Sequence, residues 1–396
     1  GKDHSSYIKM CNRLGVLYSK TGRPDDAEKY YAEALQLYEK KYGKEHKDYA
    51  KTCLNLAYSC INLAKYNEAL SYLEKSIAVY EKNIISYPLY YARCLSAYGS
   101  VYRSLSNYKK AEKYFKDSQK IIVNHLGIDH HENLDISNYL ALLYSDMGNY
   151  AEAEKLYKEN IQKADSIFGI NHVDVASYSN NLATVYKLQA KYKEAESLFL
   201  RSVEIYESVY GKINPSYAKA VVNLASLYLS LGNYEKSEEY NREGKSIFKA
   251  LYGEEHPNYM TTCNNLGALL SGINKHDEAM KEYTEALSIC EKIYGKEHNS
   301  YALFAANLGK SYQRLKDYEK AEELFTEAKN ISEKLNGKFH INYAGKCQAL
   351  ASLYRKTGKN LKALKLYGEA KSIYEYNFGT DHTDYFTCLN KIAEVQ

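Results

Sequence analysis

The chain has 396 residues and a net charge of +4, too mild a surplus to point to nucleic acid or a membrane surface. Hydrophobic residues make up 45% of it, but no apolar run reaches the roughly 18–20 residues of a membrane span, and no charged-then-apolar leader opens it. Four of the eight cysteines (Cys11, Cys53, Cys263, Cys347) recur at one equivalent position, which describes a reused buried side chain rather than a disulfide framework. A reduced, cytoplasmic protein is expected.

Taken in order, the chain opens on Gly1-Lys2-Asp3-His4-Ser5-Ser6-Tyr7, in register with Tyr42–Ala50, which reads YGKEHKDYA. Further copies start at Phe168, Tyr210, Tyr252, Tyr294, Asn336 and Phe378, with a looser one at Leu126. The loop glycines Gly43, Gly127, Gly169, Gly211, Gly253, Gly295, Gly337 and Gly379 lie 42 residues, or a multiple of 42, apart. Near Ile85 the copy is lost, and Ser86-Tyr87-Pro88 supplies the turn. A fixed period of this length means one supersecondary unit stacked many times, so a single repeat domain is expected in place of two or three globular ones. Its units are 7–48, 49–90, 91–132, 133–174, 175–216, 217–258, 259–300, 301–342 and 343–384, with a half-unit 385–396. Neither end carries a polar cap, so the chain reads as a segment of a longer protein.

Within one unit, Tyr49, Cys53, Leu56, Ala57, Cys60, Leu63 and Ala64 form the apolar stripe of a helix. The stripe resets after Lys65, and Tyr66, Ala69, Leu70, Leu73, Ile77 and Tyr80 define a second. Two helices of about 15–17 residues are predicted, each about 23–25 Å long. Ser6, Asp48, Asp174, Ser216, Asn258, Ser300, Asn342 and Asp384 stand just before the first helix and are expected to cap it. The loop glycine should end the second helix, and Gly22, Gly148, Gly232 and Gly358 mark the turn between the two. Pro24 is placed where a helix start tolerates proline.

Leu182-Ala183-x-x-Tyr186 with Ala195, Phe199 and Ser202, and Leu308-Gly309-x-x-Tyr312 with Ala321, Phe325 and Ala328, resemble the tetratricopeptide repeat. The longer 42-residue form, closed by a G-x-x-H-x-x-Y loop, is similar to the repeats of kinesin light chain and of many bacterial repeat proteins. The resemblance implies an all-α fold, a right-handed α-solenoid of stacked antiparallel helix pairs, with the first helices lining a concave groove. It implies an interaction scaffold and not an enzyme.

Catalytic and metal readings fail on geometry. The loop histidines His46, His130, His172, His256, His298, His340 and His382 belong to successive units about 10 Å apart, the distance between packed helices, and cannot converge on one ion. They are expected to bond local backbone. Gly244-Lys245-Ser246 and Gly309-Lys310-Ser311 fall inside helices and lack the preceding glycine of a phosphate loop. No cofactor is expected.

A second stripe, equivalent to positions 51, 55, 58 and 62, avoids the core face of the first helices. It holds Lys9, Arg13, Lys20, Lys51, Arg93, Lys219, Lys310, Arg314, Lys356 and Lys391 against Asp135, Asp146 and Glu394, a surplus of seven positive charges. Asn55, Asn62, Asn181, Asn223, Asn265 and Asn307 share it. An amide offers donors and an acceptor, so these residues can pair with an extended peptide backbone whatever its sequence. The competing reading is a solvated face whose asparagines satisfy neighbouring helices. The leading expectation is a scaffold that binds an extended acidic peptide through Lys9, Arg13, Lys51, Asn55, Asn62, Arg93, Asn181, Lys219, Asn223, Asn265, Asn307, Lys310 and Arg314. The alternative is the sensor array of a larger effector, such as a bacterial protein with a C-terminal caspase-like peptidase domain. Nucleic acid is disfavoured because no aromatic platform or basic run accompanies the charge. Self-association through unfinished ends is a further expectation.

Overall fold

The computed structural model describes residues 4–21, 23–63, 65–128 and 130–395. Gly1, Lys2, Asp3, Gly22 and Ala64, together with the side chain of Lys20, lie outside the described residues. Two compact units divide the chain, Gly1–Val185 and Tyr186–Gln396. In the first, α1 (Ser5–Lys20) pairs with α2 (Pro24–Tyr42), α3 (Lys47–Asn62) with α4 (Tyr66–Lys82), α5 (Pro88–Ser104) with α6 (Tyr108–Leu126), and α7 (His131–Asp146) with α8 (Tyr150–Phe168). The boundary falls inside α9 (Val173–Leu188). In the second, α10 (Tyr192–Tyr210) packs on α11 (Pro215–Ser230), which pairs with α12 (Tyr234–Tyr252). Then α13 (Pro257–Gly272) pairs with α14 (His276–Tyr294), α15 (Asn299–Arg314) with α16 (Tyr318–Asn336), and α17 (Ile341–Lys356) with α18 (Asn360–Phe378), on which α19 (Thr383–Ala393) rests. Among the described residues there is no strand, and no helix is long and apolar enough to cross a membrane.

Small residues set the pairing. Gly99 faces the Phe115 ring so closely that an added Cβ would lie 2.6 Å from it, and Ala57 and Ala69 are fully buried between α3 and α4. Each ring buried this way contributes about 1.5–3 kcal/mol. Of the tyrosines that recur at stripe positions, Tyr49, Tyr80 and Tyr108 are buried, whereas Tyr66, Tyr150, Tyr192 and Tyr318 are half-buried and Tyr234 is exposed. The last five open a second helix, as the buried Tyr108 also does. The Tyr80 hydroxyl donates to the Lys47 carbonyl at 2.9 Å, so the buried ring is satisfied at its polar end. All eight cysteines are buried, and none is in a disulfide.

Except for α4, which has 17 residues and no loop glycine, the second helices reach 19 residues, longer than the stripe predicts, because the left-handed loop glycine, Gly43 at φ 79°, lets the last turn continue to it. The residues expected to cap the first helices instead supply the N–H. Asp48 donates to His46 Nδ1, Asn258 to His256 and Asn342 to His340, at 3.0–3.2 Å. Ser216 N donates at 2.8 Å to Asn214 Oδ1, which stands in the histidine position. Imidazole Nδ1 lies as many bonds from the backbone as an asparagine Oδ1, which explains the exchange. The aromatic residue opening the loop stacks on this ring, at 4.0 Å between centroids for Tyr252 and His256 and 4.2 Å for Tyr294 and His298. In the third repeat, where the loop copy is lost, α5 starts without a side-chain cap.

An imidazole that accepts at Nδ1 cannot become imidazolium and keep the bond. Burial pushes His256 down to about 4, with Lys219 adding repulsion, and burial alone does the same to His298. Their folded pKa values lie below the ordinary 6.5, so the stability they support is present above pH 6.5 and is lost as pH falls towards 4. The loss is on the order of 3 kcal/mol for each ring across that window. Replacing both with asparagine, as at Asn214, should keep the caps and flatten the fall in Tm between pH 7 and 4.5; parallel pH profiles for the two proteins would refute this.

Candidate binding groove

The first helices of successive repeats touch one another, α1 with α3, α3 with α5 and α5 with α7 in the first unit, and α11 with α13, α13 with α15 and α15 with α17 in the second. The second helices make no comparable contact among the described residues. Each unit therefore curves with its first helices on the inner side, and the predicted stripe lies there.

In the first unit, Lys9, Arg13 and Asn62 are exposed. Lys51 is half-buried, with its ammonium 5.6 Å from the centre of the Tyr90 ring. The Arg93 guanidinium lies 6.0 Å from the same ring and pairs with Glu132, which is 8% exposed. Arg93 is thus engaged by its own fold. Arg103 in turn holds Asp146 at 2.6 Å. The middle of this face is acidic and aromatic: burial, then the carboxylates of Glu132 and Asp174, push Asp135 up to about 6. Asp135 nevertheless remains open to solvent. A group that is both open and desolvated is ringed by protein without being covered, as on the wall of a groove.

In the second unit, Lys219 is exposed, Asn223 and Asn265 are half-buried, and Arg314 donates to the Ser271 hydroxyl at 2.7 Å. Lys310 repeats the behaviour of Asp135 with opposite charge. It is exposed, yet the surrounding protein and then Arg314 lower its pKa.

The asparagines have an internal role. Asn55 donates to Asn12 at 3.1 Å, Asn181 to Asn138 at 2.9 Å and Asn307 to Asn264 at 2.8 Å, each joining one first helix to the preceding one. One such bond takes one of an amide's two donors, so packing and ligand binding draw on the same side chains.

Two lysines outside the predicted stripe also belong here. Lys187 donates to Ser226 at 2.8 Å and is lowered by burial. It stands one residue before the stripe's last position, as do Arg103 and Arg355, and that recurrence is the signal in the sequence. Lys346, in α17, is pushed down to about 8 by burial and by Lys310.

The phosphate-loop lookalikes lie within α12 and α15. Cys263, Glu282 and Glu285 bring three potential metal ligands within 4.8 Å of one another. The Lys245 ammonium already lies between the two carboxylates, at 2.7 and 3.0 Å, and fills the place of a cation.

A tetratricopeptide repeat family model matches residues 8–82, 54–122, 132–208, 216–292 and 275–334. No curated protein matches the chain in sequence. Among solved structures, the apo form of the quorum sensor NprR from B. thuringiensis is 14% identical, covering 92% of this chain and 98% of its own, with a TM-score of 0.58. A Rap protein complexed with Competence and Sporulation Factor is 12% identical over 89% of this chain and 100% of its own, with a TM-score of 0.54. BtubC (BKLC) from P. vanneervenii is 22% identical over 59% of this chain and 93% of its own, with a TM-score of 0.48. At these identities the likeness is one of fold.

Removing Arg93 strands a nearly buried carboxylate next to Asp135. Arg93→Met should cost about 2 kcal/mol in urea unfolding, and adding Glu132→Leu should restore most of it. Equal stability of the single variant and the parent would show that the pair is idle.

Proposed function

The chain belongs to the tetratricopeptide repeat family, and on that footing we propose that it is a non-enzymatic scaffold whose first-helix faces bind an extended, acidic segment of a partner protein. The observation that supports this most directly is a set of inner-face cations with no acidic partner. Lys9, Arg13, Lys219 and Lys310 form no ion pair among the described residues. Desolvation of Lys310 raises the cost of leaving its charge unpaired, and an incoming carboxylate would relieve it. The amides of Asn55, Asn181 and Asn307 keep a donor for a peptide carbonyl after bonding to the neighbouring helix. The acidic, aromatic centre around Asp135 suits a basic side chain within the same ligand, so the two units call for different stretches of partner sequence.

Charge reversal separates this reading from that of a merely solvated face. Lys9→Glu with Arg13→Glu, and separately Lys219→Glu with Lys310→Glu, should each weaken binding of a Glu-rich peptide at least tenfold. The parent's affinity should fall with added salt, because exposed charges are screened over about 10 Å at 0.1 M. Arg93 is left intact in these variants because it holds Glu132. Affinity that survives both reversals would overturn the assignment.

A further inference from the structure

One repeat departs from the others at two positions that face each other. At position 332 the second helix α16 has serine, where the equivalent residues are tyrosine at 38, 80, 206 and 374, phenylalanine at 248 and isoleucine at 122; the small Ala164 and Cys290 share the position, but there the facing first helix supplies the ring, Tyr178 or Phe304. At position 346 the first helix α17 has lysine, where Thr52, Cys94, Ala220, Thr262 and Phe304 are all buried and uncharged. The lost ring leaves space. A pocket of about 180 Å³ is lined by Asn299, Ser300, Leu303, Ser332, Asn342 and Lys346. In the repeat of Tyr80 the ring spans this gap and its hydroxyl bonds to Lys47, the residue equivalent to Asn299.

The polar groups in the pocket are incompletely satisfied. Ser332 is 1% exposed, and its hydroxyl has no hydrogen-bond partner. Lys346 and the nearby Lys310 have no acidic partner among the described residues, and burial and mutual repulsion hold Lys346 down to about 8. The Asn299 amide is already fixed by reciprocal bonds to Asn336 at 2.6 and 3.3 Å, so it forms a rigid wall. Leu303 supplies an apolar side. At a water's share of about 30 Å³, the volume corresponds to roughly six waters, the scale of a short side chain.

We propose that this pocket receives a carboxylate on a short aliphatic stem, the stem against Leu303 and the carboxylate on Lys346 and the Ser332 hydroxyl. The source is either a glutamate side chain of a bound peptide or a free short-chain acid. The glutamate reading rests on the acidic-segment function proposed above; the pocket chemistry does not. A dissolved carboxylate would offset the unpaired ammonium charges and give the buried hydroxyl an acceptor, two costs the empty pocket leaves in place.

Two substitutions return the site to the pattern of the other repeats and so should leave the fold intact. Ser332→Tyr fills the pocket, and Lys346→Thr copies Thr52 and Thr262. Glutarate, an Ala/Glu hexapeptide and inorganic phosphate are titrated calorimetrically against the 396-residue parent, both variants, and the Lys9→Glu/Arg13→Glu and Lys219→Glu charge reversals. The expected result is that the parent binds glutarate and each pocket variant loses at least tenfold in affinity. Loss of glutarate alone assigns the pocket to a free acid; loss of the peptide as well assigns it to a side chain. If Ser332→Tyr fails to fold, Lys346→Thr carries the test. Unchanged glutarate affinity in the folded pocket variants, no binding by the parent, or phosphate bound as tightly as glutarate overturns the proposal. Peptide affinity lost in the charge reversals, with both peptide and glutarate affinity kept in the pocket variants, leaves the groove standing and removes the pocket. The opposite pattern removes the groove and keeps the pocket.

Discussion

In several pairs the distance between the two helices is set by a contact that leaves no room for a methyl group. At Gly15, Gly99 and Gly267 an added Cβ would meet the facing ring of Tyr31, Phe115 or Tyr283 at 2.6–2.8 Å. At the equivalent position alanine stands opposite Leu73 at 57, and opposite the rings of Tyr157, Phe199 and Tyr367 at 141, 183 and 351. This close approach brings each pair into a slab thin enough for the first helices of successive repeats to touch. That contact gives each unit its inner side, and the inner side is where charges can be both open to water and poorly hydrated.

Polar side chains in this protein divide between holding the array and facing outward, and their type does not say which. The asparagines at 55, 181 and 307 tie one repeat to the last. Arg93 neutralises Glu132. Lys245 satisfies two carboxylates deep between helices. By contrast, Lys310 and Lys346 stand in the same protein without counter-charges. A cation becomes informative when its repeat-mates are neutral and buried, because only then has the fold no structural use for it.

The helix pairs, the period and the loop glycines were legible in the sequence because they repeat, and repetition averages away local noise. The first-helix caps were misplaced by two residues. Asp, Asn and Ser are the common cap residues, and nothing in the spacing announced that His46 and its equivalents would take that role through Nδ1. The stripe located the inner face but could not tell which members were engaged, since the partner of Arg93 is Glu132, 39 residues away on another helix. Lys346 escaped a reading by consensus. It belongs to no stripe, and only the missing ring at Ser332 makes its position accessible.

Every element of the loop that joins one repeat to the next is local. The glycine that ends the second helix, the aromatic residue stacked on the histidine, and the histidine that bonds two residues ahead all lie within a few residues of one another. The bonds that cap the first helix in such a loop come from within the loop itself. Whole repeats can therefore be duplicated or deleted by recombination in the gene without leaving an unsatisfied terminus at the joint. The length of such an array can drift over evolutionary time, while a departure confined to one repeat, like that of Ser332 and Lys346, travels with its repeat as a unit.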